Sequence, residues 1–383
     1  MHDDLAKRPS KRRTGAQQTV STESPFEVPF VLHGLGGLVH RWRSLWLELG
    51  RLETSTLARE LRATSIHAPI YVCGLARSGS TLLHEIVSSH PAVATHRVKD
   101  YPLVFTPFWQ RRATRNLRPQ APVERAHQDG MMITTESPDA LEEMVWMAFF
   151  PRCHDPSVSN VLGPGAGGAA FRLFYTSHIK KLLLAEGATR YAAKDNYHVA
   201  RLGCLLRLFP DARFLLPVRA PADHIASLMR QQRLFVQGER KHPRALAFMR
   251  RTGHFEFGLD RRPIHLGDDD RVRRIRRAWA AGDEVRGLAI YWDMVYRYLA
   301  RLLAADATVR TAAFVVRFES LCDSPRATLR AALEHCRLPD SERVVEQYAA
   351  RIRRPSYYTA GFSAREMDVI REETAAAAGL WGY

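Results

Sequence analysis

Two hydrophobic periods run through the chain. Short, nearly unbroken apolar runs at Ala68-Pro-Ile-Tyr-Val-Cys73, Arg190-Tyr-Ala-Ala193, Arg213-Phe-Leu-Leu-Pro-Val218 and Ala312-Ala-Phe-Val-Val-Arg-Phe318 predict buried β-strands. Between them, apolar residues recur at helical spacing. The clearest stretch is 38–63, with Leu38, Trp42, Leu45, Leu49, Leu52, Leu57 and Leu61. Further helices are predicted at 79–89, 139–150, 171–186, 198–209, 221–233, 278–304 and 325–337, the last opened by Ser324 as N-cap and Pro325 at the first helical position. Strands alternating with helices, without a fixed repeat, predict an α/β domain whose central parallel sheet carries helices on both faces.

Three segments stand outside the pattern. Residues 1–25 are basic and polar and read as a disordered tail, leaving 26–383 as a single domain. Gly163-Pro-Gly-Ala-Gly-Gly168 reads as a loop. Residues 238–277 are dense in charge and read as a basic insertion, a lid or substrate wall on the α/β core.

Composition narrows the function classes. The 383 residues hold 56 Lys+Arg against 40 Asp+Glu, a net charge of +16, which points to an anionic partner. Only seven of the 56 are lysines; arginine suits bidentate recognition of phosphate or sulfate, although coding bias also produces such a skew. Five widely spaced cysteines without a C-x-x-C pair exclude a disulfide framework and a zinc ribbon, and fit a reducing, cytoplasmic setting. No apolar stretch has the length of a secretory core or of a membrane span.

Candidate chemistry begins at Gly74-Leu-Ala-Arg-Ser-Gly-Ser-Thr81, a G-x-x-x-x-G-x-T turn between a predicted strand and a predicted helix. That frame is a P-loop, whose glycines let backbone N–H groups and a helix N-terminus converge on an anion. Ser80 stands where a nucleoside triphosphatase has the lysine that reaches the terminal phosphates, which argues against ATP or GTP hydrolysis. Arg219 follows the strand at 213–218, and Ser227 lies eight residues on, about two turns into the helix that Pro221 starts. Lys194 closes the strand at 190–193; an ion pair with Asp195 is its alternative role. Three strand ends thus bring Arg77, Lys194 and Arg219 to one sheet edge, where open α/β sheets bind ligands.

On these residues the chain resembles the sulfotransferases that use 3′-phosphoadenosine 5′-phosphosulfate (PAPS), particularly the bacterial branch related to the tyrosylprotein sulfotransferases. The resemblance implies a three-layer P-loop fold. It implies that Arg77, Ser78, Gly79, Ser80 and Thr81 bind the 5′-phosphosulfate and that Arg219 and Ser227 bind the 3′-phosphate. It further implies that Arg77 and Lys194 neutralise the leaving phosphate in an in-line transfer to a hydroxyl or amine that requires no metal. Val316-Arg-Phe-Glu-Ser-Leu-Cys-Asp-Ser-Pro325 is similar to a family segment in which Phe318 is usually tyrosine. For the catalytic base the sequence offers Asp100, then His198, then Glu142 and Glu143. The acceptor class, whether sugar, lipid, peptide or small molecule, stays open.

Two other readings compete. A P-loop kinase would need the lysine that Ser80 replaces. A binder of nucleic acid or acidic polymer would rest on the net charge and on Arg271-Val-Arg-Arg-Ile-Arg-Arg277, a cluster that also fits a solvated helix face; no nucleic-acid partner is expected.

Overall fold

A computed structural model of the chain describes residues 24–116, 120–355 and 361–383. The tail expected at 1–25 therefore falls almost wholly outside the described residues. Five parallel strands form the main sheet: β1 (Ile70–Cys73), β2 (Val93–Ala94), β5 (Arg190–Asp195), β6 (Arg213–Val218) and β7 (Ala313–Arg317), in the order β2-β5-β1-β6-β7. A small antiparallel pair, β3 (Val123–Glu124) and β4 (Met132–Ile133), stands apart from it.

Strand side chains alternate between two apolar layers, as a sheet covered on both faces requires. Tyr71, Cys73, Tyr191, Ala193, Phe214 and Leu216 enter one layer, packed by the helices Gly168–Glu186 and Glu284–Ala305. Ile70, Val72, Ala192, Leu215 and Val316 enter the other, under Ser80–Ser88, Pro325–His335 and Glu342–Ala349. Near-continuous apolar runs were legible as strands because both faces are buried.

The differences from expectation have physical causes. β1 starts at Ile70, two residues late, because Pro69 has no N–H and Ala68 turns at φ +38° with its N–H donated to Asp211. β5 runs on to Asp195, so Lys194 lies inside the strand, paired in register with Val72. The helix expected at 38–63 is three, Phe30–Arg41, Arg43–Thr56 and Ala58–Ala63: the first packs on the helix Pro243–Thr252 and the other two on Gly168–Glu186, and one straight rod cannot serve both.

The segment 238–277 completes the helix Pro221–Lys241 and supplies Pro243–Thr252 and most of Asp269–Ala280. Its charges hid this helical content. On Asp269–Ala280, Arg271 is paired with Asp293 and Arg274 with Glu373, so part of the basic cluster is spent on intramolecular partners. Among the described residues no helix is long and apolar enough to cross a membrane. All five cysteines are unbridged.

Parallel register brings the carboxyl ends of β5, β1, β6 and β7 side by side, with Cys73 opposite Asp195 and Val218 opposite Arg317. The turn after β1, Lys194 of β5, Arg219 after β6 and Phe318 after β7 therefore share one edge.

Candidate active site

The turn Gly74–Thr81 is held by its carbonyl oxygens. Ser78 Oγ donates to Leu75 O at 2.7 Å, the buried His224 donates from Nε2 to Ala76 O at 2.7 Å, and Arg219 Nη1 donates to Arg77 O at 3.1 Å. Burial pushes His224 down to about 3, so the ring is neutral and its single proton serves this bond. Two glycines are required here. A Cβ on Gly74 would stand 2.8 Å from the Pro217 ring, and Gly79, at φ +99°, would bring one 2.9 Å from the Phe318 ring. Arg77 itself takes φ +71°. The helix Ser80–Ser88 starts directly after the turn, and its first N–H groups have no acceptor within the helix.

Two cavities meet at this turn, and Arg77, Ser80 and Thr81 border both. One, of 670 Å³, is edged by Gly79, Arg219, Phe318, Arg351, Arg353 and Arg354. Six arginines border it against three carboxylates, a balance that favours an anion. Arg219 is only 4% exposed and its guanidinium lies 4.4 Å over the Phe318 ring, so phenylalanine here supplies a platform for the cation. Ser227 is fully buried and accepts from Arg77 Nε at 3.3 Å. Arg77 also donates to Asp129 at 2.7 Å, and Arg125 shares that carboxylate. Burial opposes the charge on Asp129, but the two guanidinium groups hold it well below the usual carboxylate range.

The other cavity, of 340 Å³, holds Lys194, His254 and Glu256 among largely apolar walls. His254 Nδ1 lies 3.6 Å from Glu256 Oε1, and Asn196 Nδ2 donates to the same oxygen. Burial disfavours charge on both, yet their mutual attraction prevails: His254 is raised to about 9 and Glu256 lowered to about 2. At neutral pH the pair is an imidazolium and a carboxylate.

The structure brings Arg77, Gly79, Ser80, Thr81, Lys194 and Arg219 to the two cavities, with Ser78 and Ser227 behind them as supports of the turn and of Arg77. It does not bring the expected bases there. Asp100 is fully buried, accepts from Arg111 Nε and Nη2 at 2.7 and 2.6 Å and from His96 Nδ1 at 3.1 Å, and lines neither cavity. Burial works against its charge, but the bonds from His96 and Arg111 hold it well below the carboxylate range, and with both oxygens engaged inside the core it reaches neither cavity. His198 is 0% exposed, edge-on to Tyr71 and Trp146, with burial forcing it neutral. Glu142 accepts from Trp146 Nε1 at 2.7 Å and from Tyr191 inside the core, and Glu143 is clamped by Arg201 at 2.5 and 2.6 Å. All four carboxylate and imidazole candidates are structural because a base must reach solvent or substrate. Glu143 also approaches Cys153 and His154, the one potential metal cluster among the described residues, but Arg201 already supplies its counter-charge.

The sequence reading missed His254 and Glu256, which lay in the supposed insertion, and Arg351-Ile-Arg-Arg354. Their signal was present, a His-x-Glu pair after a glycine and a compact arginine run, but neither marks a site without the fold.

Replacing Asp100 by Asn leaves Arg111 undercompensated in the interior and is expected to cost roughly 3–5 kcal/mol in urea unfolding, with turnover per folded molecule near wild type. A large loss of turnover in a stable variant would restore Asp100 as the base. The His254–Glu256 pair predicts a pH signature. The raised imidazolium contributes stability fully below its ordinary value near 6.5 and loses it as pH rises through about 9. The gap in Tm between wild type and His254→Asn should therefore be wide at pH 6 and nearly closed at pH 10; a constant gap would contradict the pairing.

Solved structures similar to the chain include the sulfotransferase STF1 from Mycobacterium tuberculosis, 16% identical, covering 89% of this chain and 86% of that one with a TM-score of 0.47. They also include the sulfotransferase STF9 from Mycobacterium avium, 13% identical over 85% and 80% with a TM-score of 0.48, and a sulfotransferase domain from the curacin biosynthetic pathway, 12% identical over 83% and 98% with a TM-score of 0.38. No curated protein matches the chain. The sulfotransferase family model matches residues 69–249, a span that holds the turn, Lys194, Arg219 and Ser227 together with most of the insertion's first helices.

Proposed function

We propose that the protein transfers a sulfuryl group from PAPS to an acceptor hydroxyl, with the nucleotide in the arginine-rich cavity and the acceptor in the apolar one. The observation that carries this reading is the lysine-free turn bordering both cavities at once. One end of the turn faces cations suited to a bisphosphate nucleotide, and the other faces Lys194 and a charged His–Glu pair.

In the transfer, the acceptor oxygen forms a bond to sulfur as the bond from sulfur to the bridging phosphate oxygen breaks. Negative charge grows on the leaving phosphate. Arg77 and Lys194, with the first N–H groups of Ser80–Ser88, are the groups placed to stabilise it. The acceptor's proton goes to Glu256, which the imidazolium of His254 and the amide of Asn196 orient. Arg219 holds the 3′-phosphate; Ser227 positions Arg77.

The nucleotide assignment is tested by titrating the purified chain with 3′-phosphoadenosine 5′-phosphate. Tm should rise with ligand concentration, and Arg219→Ala should weaken this nucleotide far more than adenosine 5′-phosphosulfate, which lacks the 3′-phosphate. A larger shift with ATP and magnesium would favour a kinase. Salt-sensitive polymer binding that survives Arg219→Ala, with no nucleotide shift, would favour the polymer reading.

The base assignment is tested by Glu256→Gln, which should lower kcat by about 10²–10⁴-fold while leaving nucleotide affinity close to wild type. An unchanged kcat would remove Glu256 from the chemistry.

A further inference from the structure

We infer that the acceptor is an uncharged, largely apolar hydroxyl compound, an aromatic alcohol in particular, held by a wall that the N-terminal segment and the 235–257 region build together. This rests on the sulfuryl-transfer reading and names the substrate class of the second cavity.

The wall is made of Phe26, Leu32, Met131, Phe235, Phe248 and Phe257. Its rings are fixed by one another: Phe26 meets Phe235 edge-on at 5.1 Å, and Phe235 meets Phe257 at 5.5 Å. Gly238 makes room for this contact, since a Cβ there would lie 2.5 Å from the Phe26 ring. His127 meets the same group edge-on, 4.9 Å from Phe235, and burial holds it neutral. The surface is thus pre-formed and carries no charge of its own.

Several of the charged groups that border this cavity have partners, and Glu27, Glu85, Asp139 and Lys194 border it as well. Arg77 and Arg125 share Asp129, and His254 faces Glu256. Beside the turn the cavity offers an acceptor a polar cluster, Lys194 with His254 and Glu256. One hydroxyl can be satisfied there. A sugar would set most of its remaining hydroxyls against a wall of phenylalanine and methionine without partners, and a carboxylate-bearing acceptor would be desolvated against the same wall and would meet Glu27 and Asp139 at its edge. Size agrees: a 150 Å³ apolar cavity accommodates a benzene, so 340 Å³ accommodates about two such rings.

The test uses the full chain with PAPS and three probes: 2-naphthol, glucose, and a tyrosine-containing acidic peptide. The expected result is a kcat/KM for 2-naphthol at least about tenfold above the other two. Met249 also lines the wall; Met249→Asp should raise KM for 2-naphthol by about tenfold or more, and Met249→Ser gives a milder version should the charge prevent folding. The nucleotide-induced rise in Tm reports that each variant is folded. Glucose or peptide sulfated as well as naphthol, or an unchanged KM in folded Met249 variants, overturns the proposal. If wild type shows no nucleotide shift, the sulfuryl-transfer reading fails by itself, and naphthol binding is then read from its fluorescence. Binding weakened by Met249→Asp upholds the apolar site, and no binding overturns it.

Discussion

The fixed point of this structure is a turn whose carbonyl side is occupied from within. Leu75, Ala76 and Arg77 each give a carbonyl oxygen to a donor from Ser78, His224 or Arg219. With one side of the peptide planes spent on the protein, the turn keeps its course without a ligand, and the N–H groups at the start of Ser80–Ser88 stay available for an anion. The same bonds tie two strand ends together, because Arg219 follows β6, His224 sits on the helix behind it, and the turn follows β1. Arg219 is therefore both a cation for the cavity and a strut for the loop.

Division of labour follows from that turn. On one side arginines gather and the carboxylates are few; on the other the walls are mostly rings and thioethers, with a polar cluster beside the turn. Arg77 stands between, held by Asp129 and Ser227. The proposed transfer would use such a partition: the donor requires neutralised charge, while the acceptor requires a dry pocket in which a single proton acceptor works against little competing water.

The buried acids and histidines of the core show why sequence distance is a poor guide to a base. Asp100 and His198 lie near the expected chemistry along the chain, yet Arg111, His96 and the aromatic rings around Tyr71 absorb them. His254 and Glu256 arrive from a remote segment because the helix Pro243–Thr252 packs against Phe30–Arg41 and turns the chain back at Gly253, whose φ is +83°.

Strand runs, the glycine-framed turn, and Arg219 eight residues before Ser227 were legible because each is a local consequence of covalent spacing: a strand buried on both faces is apolar throughout, and a tight turn onto a helix favours glycine where φ is positive, as at Gly79. Parallel register then follows from the alternation of strands and helices, and it places Lys194 beside the turn. Which carboxylate is spent on an arginine, which histidine faces a cavity, and where the N-terminal helix bends depended on partners from other elements, from Arg111 on Asp100 to the helix Pro243–Thr252 on Phe30–Arg41. Those pairings arise from packing and desolvation between whole elements, and no spacing along the chain encodes them.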